Sequence, residues 1–229
     1  MIKIKAPLFK APLLIVGSLL AANMAFAQNN EQAPLSFFIT SVGLDGGDLG
    51  GLAGADAHCQ ALAATVGRGD ATWHAYLSTQ GPNAVNARDR IGSGPWYGWG
   101  GNMIAQDLDH LHGDSLERAR AGSGLHPFHA RNEKGEIVNG ILAREYGLGP
   151  SVHDILTGST VQGTALPEGD DMTCSNWTSN DQGSARIGHH DRHGRTDNSW
   201  NSAHNTRSCS PEGVAAGGGA GLFYCFAID

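Results

Sequence analysis

Between Ile187 and Trp200 the chain reads IGHHDRHGRTDNSW, with three histidines and two aspartates in fourteen residues. Imidazole and carboxylate together suit zinc, copper or nickel, and His189 and His193 stand at i, i+4, one turn apart if the segment is helical. Gly188 and Gly194 bracket the run, so a tight turn with diverging side chains competes with the helix. A polar, histidine-rich loop holding no ion is the plain alternative. A centre would draw on His189, His190, Asp191 and His193 and add a distant ligand, either His153 or Asp154 from HDILTGS or His204 from NSAHNTRSC. For Asp154 the local pattern predicts a turn former bonded to the backbone of Leu156 or Thr157, and for His204 a partly buried ring on a loop carbonyl. The ion implied by this donor set is a divalent metal, zinc rather than calcium.

Other constellations carry weaker chemistry. His110, His112 and Asp114 in DLDHLHGD would align on one face of a strand but splay on a helix. Asp45, Asp48 and Asp56 lack the spacing and terminal Glu of an EF-hand, and Asp48 reads as the entry signal of a helix. His126 and His129 read as surface loop residues. Nucleophilic catalysis needs an activated Ser, Cys or Lys, yet no G-x-S-x-G elbow occurs and Lys134 is the one lysine beyond residue 27. An Asp/His hydrolytic centre remains open. Trp96, Tyr97 and Trp99 in GPWYGWGG can either stack on sugar rings or cover the core of a loop-rich fold.

The elements that must position these groups lie toward the ends of the chain. MIKIKAPLFKAPLLIVGSLLAANMAFA reads as an export signal, residues 1–27, with Ala25 and Ala27 as the small residues before the cut; no segment approaches a membrane span. Without Lys3, Lys5 and Lys10 the formal charge moves from −7 to −10, which argues against nucleic acid or an anionic membrane as partner. Residues 28–229 suit a single domain. SFFITS (36–41) and WHAYLS (73–78) read as strands, the second with Trp73, Ala75 and Leu77 on one face and His74, Tyr76 and Ser78 on the other. Residues 53–66 read as a helix burying Cys59, and LFYCFAID as a closing strand with Phe223, Cys225 and Ala227 on one side. Residues 107–121 suggest a broken helix and 136–144 a strand or two, while 167–217 reads as a loop of some fifty residues.

Four cysteines in a chain read as exported predict two disulfides, with three pairings possible and no C-x-x-C motif to suggest a zinc ribbon. Pairing like with like joins Cys59 to Cys225, helix to last strand, and Cys174 to Cys209 within the polar loop. This nesting, the terminal strands, the early helix, and the stretches CSNWTSN, NSWNSAHNTRSCS and GGGAGLFYCFA together resemble the C-type-lectin-like fold. The resemblance is narrower to its bacterial secreted, endostatin-like branch, where FFITSVGLDGGDLGGLAGADAHCQ and GHHDR are also at home. It implies an α+β domain with paired terminal strands, one or two helices, small sheets and a long disulfide-closed loop. The calcium-dependent sugar binders of that fold carry a Trp-Asn-Asp triplet, whereas here Trp200 and Asn201 are followed by Ser202.

The function expected on these grounds is an exported, secreted or periplasmic, ligand-binding module rather than an enzyme. Its ligand would be extracellular or periplasmic, with a carbohydrate as one candidate, and would face Trp96, Trp99, Trp177, Trp200 and Asn201. The competing expectation is a metal-dependent enzyme or metal-binding protein built on His189, His190, Asp191 and His193 with His153 or His204.

Overall fold

The computed structural model describes residues 32–115, 117, 122–194 and 197–229. The segment read as an export signal, and residues 116 and 118–121 of the expected broken helix, lie outside them. The chain runs β1 (Phe37–Ile39), α1 (Gly51–Thr65), β2 (Trp73–Ala75), β3 (Trp96–Tyr97), β4 (Met103–Ala105), α2 (Leu108–His112), α3 (Ile141–Glu145), β5 (Asp154–Leu156), β6 (Arg186–His189), β7 (His204–Asn205), α4 (Pro211–Ala215) and β8 (Gly219–Ala227). The architecture is mixed α+β, with short helices, small sheets and two disulfides.

β8 organises the larger sheet. Its N-terminal half runs parallel to β5, pairing Gly219 with Asp154 and Phe223 with Leu156. Its C-terminal half pairs antiparallel with β1 and β2. β6 and β7 continue the sheet beyond β5, and β3 with β4 makes a separate ribbon. Alternation along β8 sends Phe223, Cys225 and Ala227 into one core with Ala55, Cys59 and Ala63 of α1. Leu222, Tyr224 and Phe226 enter a second core with Phe37, Ile39, Tyr76 and Trp96. Tyr76 is therefore fully buried, because the sheet is covered on both sides there.

Both disulfides match the like-with-like pairing, Cys59 to Cys225 and Cys174 to Cys209. The second spans 35 residues of sequence, worth roughly 4 kcal/mol in the chain-entropy account, and it anchors the region expected to be one loop. That expectation is corrected. β6, β7 and α4 all fall inside 167–217, because Ile187 and Ala203 have apolar neighbours to pack on once the strands join β5. Residues 136–144 also differ from expectation, forming a single bridge from Ile137 to Arg131 and then α3. Asp48 does not cap α1; its Oδ1 accepts from Gly50 N, and Gly50 in left-handed conformation leads into the helix.

Candidate metal centre

The strand register assembles the site. Asp154 of β5 stands opposite His189 of β6 on one side and Gly219 of β8 on the other. Along the same strands, the next paired set on this face, Leu156, Ile187 and Phe223, belongs to the apolar core, so the polar group is the open end of a hydrophobic stripe. His204 of β7 pairs with Ile187, which puts it diagonally beside His189. Gly188 permits this crossing, since a Cβ there would lie 1.9 Å from the Trp200 carbonyl oxygen.

Three imidazoles converge on one carboxylate. His153 Nε2 lies 3.2 Å, His189 Nε2 3.4 Å and His204 Nε2 3.8 Å from Asp154 Oδ1. The rings of His153 and His189 stack 4.3 Å apart and nearly parallel, and His204 meets His189 edge-on at 5.0 Å. His153, Asp154 and His189 are buried, and one ligand atom from each falls within 4.8 Å of the others. His204 is half-exposed at the rim. On the β8 side the wall is bare glycine: a Cβ on Gly217 would sit 2.6 Å from Asp154 Oδ2.

The hydrogen bonds fix which nitrogen faces inward. His153 Nδ1 lies 3.1 Å from Asp191 Oδ1, His189 Nδ1 3.1 Å from the Asp197 carbonyl oxygen, and His204 Nδ1 3.1 Å from the Asn205 carbonyl oxygen. All three partners are oxygen acceptors, so each Nδ1 donates its proton there and Nε2 is the ring atom left beside Asp154 Oδ1. Among the described residues, Asp154 accepts no hydrogen bond at either oxygen and His189 Nε2 has no hydrogen-bond partner. Burial raises the Asp154 carboxyl above the usual range against the pull of His153, His204 and His189. Burial, then His153, holds His189 below the usual imidazole value and so neutral. Lone pairs converging on a buried, unbonded carboxylate repel unless a cation or protons lie between them.

The spacing fits a cation. Zinc bonds of about 2.0–2.1 Å in a tetrahedron place neighbouring ligand atoms about 3.3–3.4 Å apart. The separations of 3.2 and 3.4 Å agree, and the third at 3.8 Å belongs to the exposed His204. Asp191 supports the set from behind. Its burial favours protonation, but hydrogen bonds from His153, Ile141 N and His193 N prevail and keep it well below the usual carboxylate range. This is the carboxylate–histidine arrangement that orients metal-bound imidazoles.

The placement differs from the sequence expectation in several respects. His189 and His193 do not share a helical turn: His189 ends a strand, and His193 is exposed, touching the group only through its backbone N–H on Asp191. His190 points to the other side of β6, fully buried, where desolvation lowers its pKa to about 4. Asp191 turns its two carboxylate oxygens to His153 Nδ1, His193 N and Ile141 N. Asp154 is no turn former; it lies in β5 at the centre of the group, and its sequence neighbours gave no sign of that. His110, His112 and Asp114 lie on and after a helix and splay apart, Asp114 pairing with Arg88 instead.

Among the expected ligand-facing aromatics, Trp96 and Trp177 are core residues, their indole N–H groups bonded to the carbonyls of Ile91 and Ser78. Trp200 is also buried, against Tyr76 and Tyr224. Asn201 is buried, with its amide on Tyr76 Oη, while Trp99 is exposed. No helix among the described residues is long and apolar enough to cross a membrane. No protein-family model matches the chain, and comparison with curated proteins returns no match.

Proposed function

We propose that this chain is a metal-binding module, with one divalent transition metal, zinc by donor type, held by His153, Asp154 and His189 and completed at the rim by His204. One observation carries the reading: His153, His189 and the rim His204 each have Nδ1 committed to an oxygen, which leaves three Nε2 atoms beside a buried carboxylate that accepts no hydrogen bond among the described residues. Calcium is disfavoured because it takes six to eight oxygens, and this centre offers one carboxylate and imidazoles. The disulfides support a working place outside the reducing cytoplasm. The fold we assign to the C-type-lectin-like class, on the nested disulfides and the pairing of β1 with β8.

Elemental analysis of protein dialysed against limiting zinc tests the reading. Wild type should retain about one equivalent per chain, and Asp154→Ala and His189→Ala should retain none under the same dialysis. Substoichiometric metal in wild type at neutral pH, or an equivalent retained in both variants, would overturn it.

A further inference from the structure

A second cavity, of about 200 Å³, opens between α2 and the turn after β6, and the metal centre does not use it. Its polar wall comprises His110, His112, Ser123, Arg192, Ser199 and Asn201, and no carboxylate lines it among the described residues. Neither histidine supplies charge or a spare nitrogen. His110 accepts from Gln106 N at Nδ1 and donates from Nε2 to the Gly122 carbonyl. His112 donates from Nδ1 to the Leu108 carbonyl and accepts the Tyr76 hydroxyl at Nε2. Asn201 and Ser199 are committed too, the amide of Asn201 to Tyr76, Thr160 and Val161 and the hydroxyl of Ser199 to Asn201.

Arg192 is different. Its Nε donates to the Leu125 carbonyl and its Nη2 to Ser123 Oγ, and among the described residues no carboxylate forms an ion pair with it. A guanidinium has five N–H groups, so three remain, and Ser123, which accepts from Arg192, keeps its own proton to donate. The backbone at Arg192 is left-handed, φ 53°, an unfavourable state for a long side chain, and is held by Arg192 N on the His189 carbonyl and by Asp191 Oδ1 on His193 N. A partly buried cation with three N–H groups unassigned, and no carboxylate paired with it among the described residues, calls for an acceptor of opposite charge.

We infer that this cavity binds a small oxyanion, seated on the Arg192 guanidinium and the Ser123 hydroxyl with its carbon skeleton against Trp200, Leu111 and Val161. A space of about 200 Å³ admits one small oxyanion with a short skeleton. The site is independent of the metal reading.

Calorimetric titration at constant ionic strength, with acetate, glucuronate, sulfate and phosphate beside neutral glucose, tests the inference. At least one anion should saturate at one site, and which anion does so names the ligand as carboxylate, sulfate or phosphate. Arg192→Gln should weaken that anion roughly 10- to 100-fold, as the loss of a charged hydrogen-bonding partner does. Val161→Trp, which fills the cavity and leaves the charge in place, should abolish binding even if Arg192→Gln folds poorly. Asp154→Ala should bind the anion as wild type does, which separates this site from the metal centre. No saturable anion, or affinity unchanged in both Arg192→Gln and Val161→Trp, would overturn the inference.

Discussion

Two groups of histidines lie on the same β6–β7 side of this molecule and have opposite chemistry. Around the small cavity, His110 and His112 each use both ring nitrogens on protein partners, and nothing is left to bind. Around Asp154, each ring uses only Nδ1, and its Nε2 is turned toward a carboxylate that the fold leaves unbonded. Residue type is the same in both. The second nitrogen separates them, and the backbone decides where it points. Helix α2 supplies the Leu108 carbonyl to His112 four residues on, whereas strand pairing around β5 and β6 supplies none to the inner nitrogens.

Mutations can break this contrast in a graded order. Structural zinc sites are worth about 10–16 kcal/mol over four ligands, so removing Asp154 or His189 should cost about 3 kcal/mol of binding, on the order of 100-fold, by competition with a chromogenic chelator. His190, the buried ring on the far side of β6, should set the acid stability instead. Its folded pKa of about 4 lies below the ordinary 6.5, so the unfolded chain takes the proton first and stability falls as pH drops from about 6.5 toward 4. The loss should reach about 3 kcal/mol in denaturant melts and be absent from His190→Gln. His189, also depressed, adds in the same direction.

Asp191→Asn keeps every ligand and removes only the carboxylate behind His153. Metal affinity should fall about 10- to 100-fold. At the small end, His112→Ala should leave metal content at the wild-type level while costing about 1–2 kcal/mol in melting experiments, because the Tyr76 hydroxyl loses its acceptor. If His112→Ala also stripped the metal, the distinction between the two groups would fail.

Much of the frame was readable in the residues. The apolar run of SFFITS, the sides of LFYCFAID and the three-four spacing around Cys59 reflect burial against close neighbours, and the cysteines pair according to the elements that carry them. The centre was readable only in part. His153, His189 and His204 were open as candidates, but the pattern gave Asp154 to a local turn and offered His190 and His193 as ligands. Convergence here depends on the register of β5 with β6 and β8, which joins residues 35 and 65 positions apart and leaves no periodic trace. The orienting part of Asp191 was hidden for the same reason: its partners Ile141 and His153 come from distant segments.

The long strand β8 has a consequence for how the protein is made. It is the last of the sheet's strands to be synthesised, yet β1, β2 and β5 all pair with it and both cores draw alternate residues from it. A chain halted before Gly219 has its first two hundred residues and neither core completed. Any carrier that threads this polypeptide N-terminus first therefore handles a chain that stays open until its final segment arrives, and releases one that can then close around that strand in a single act.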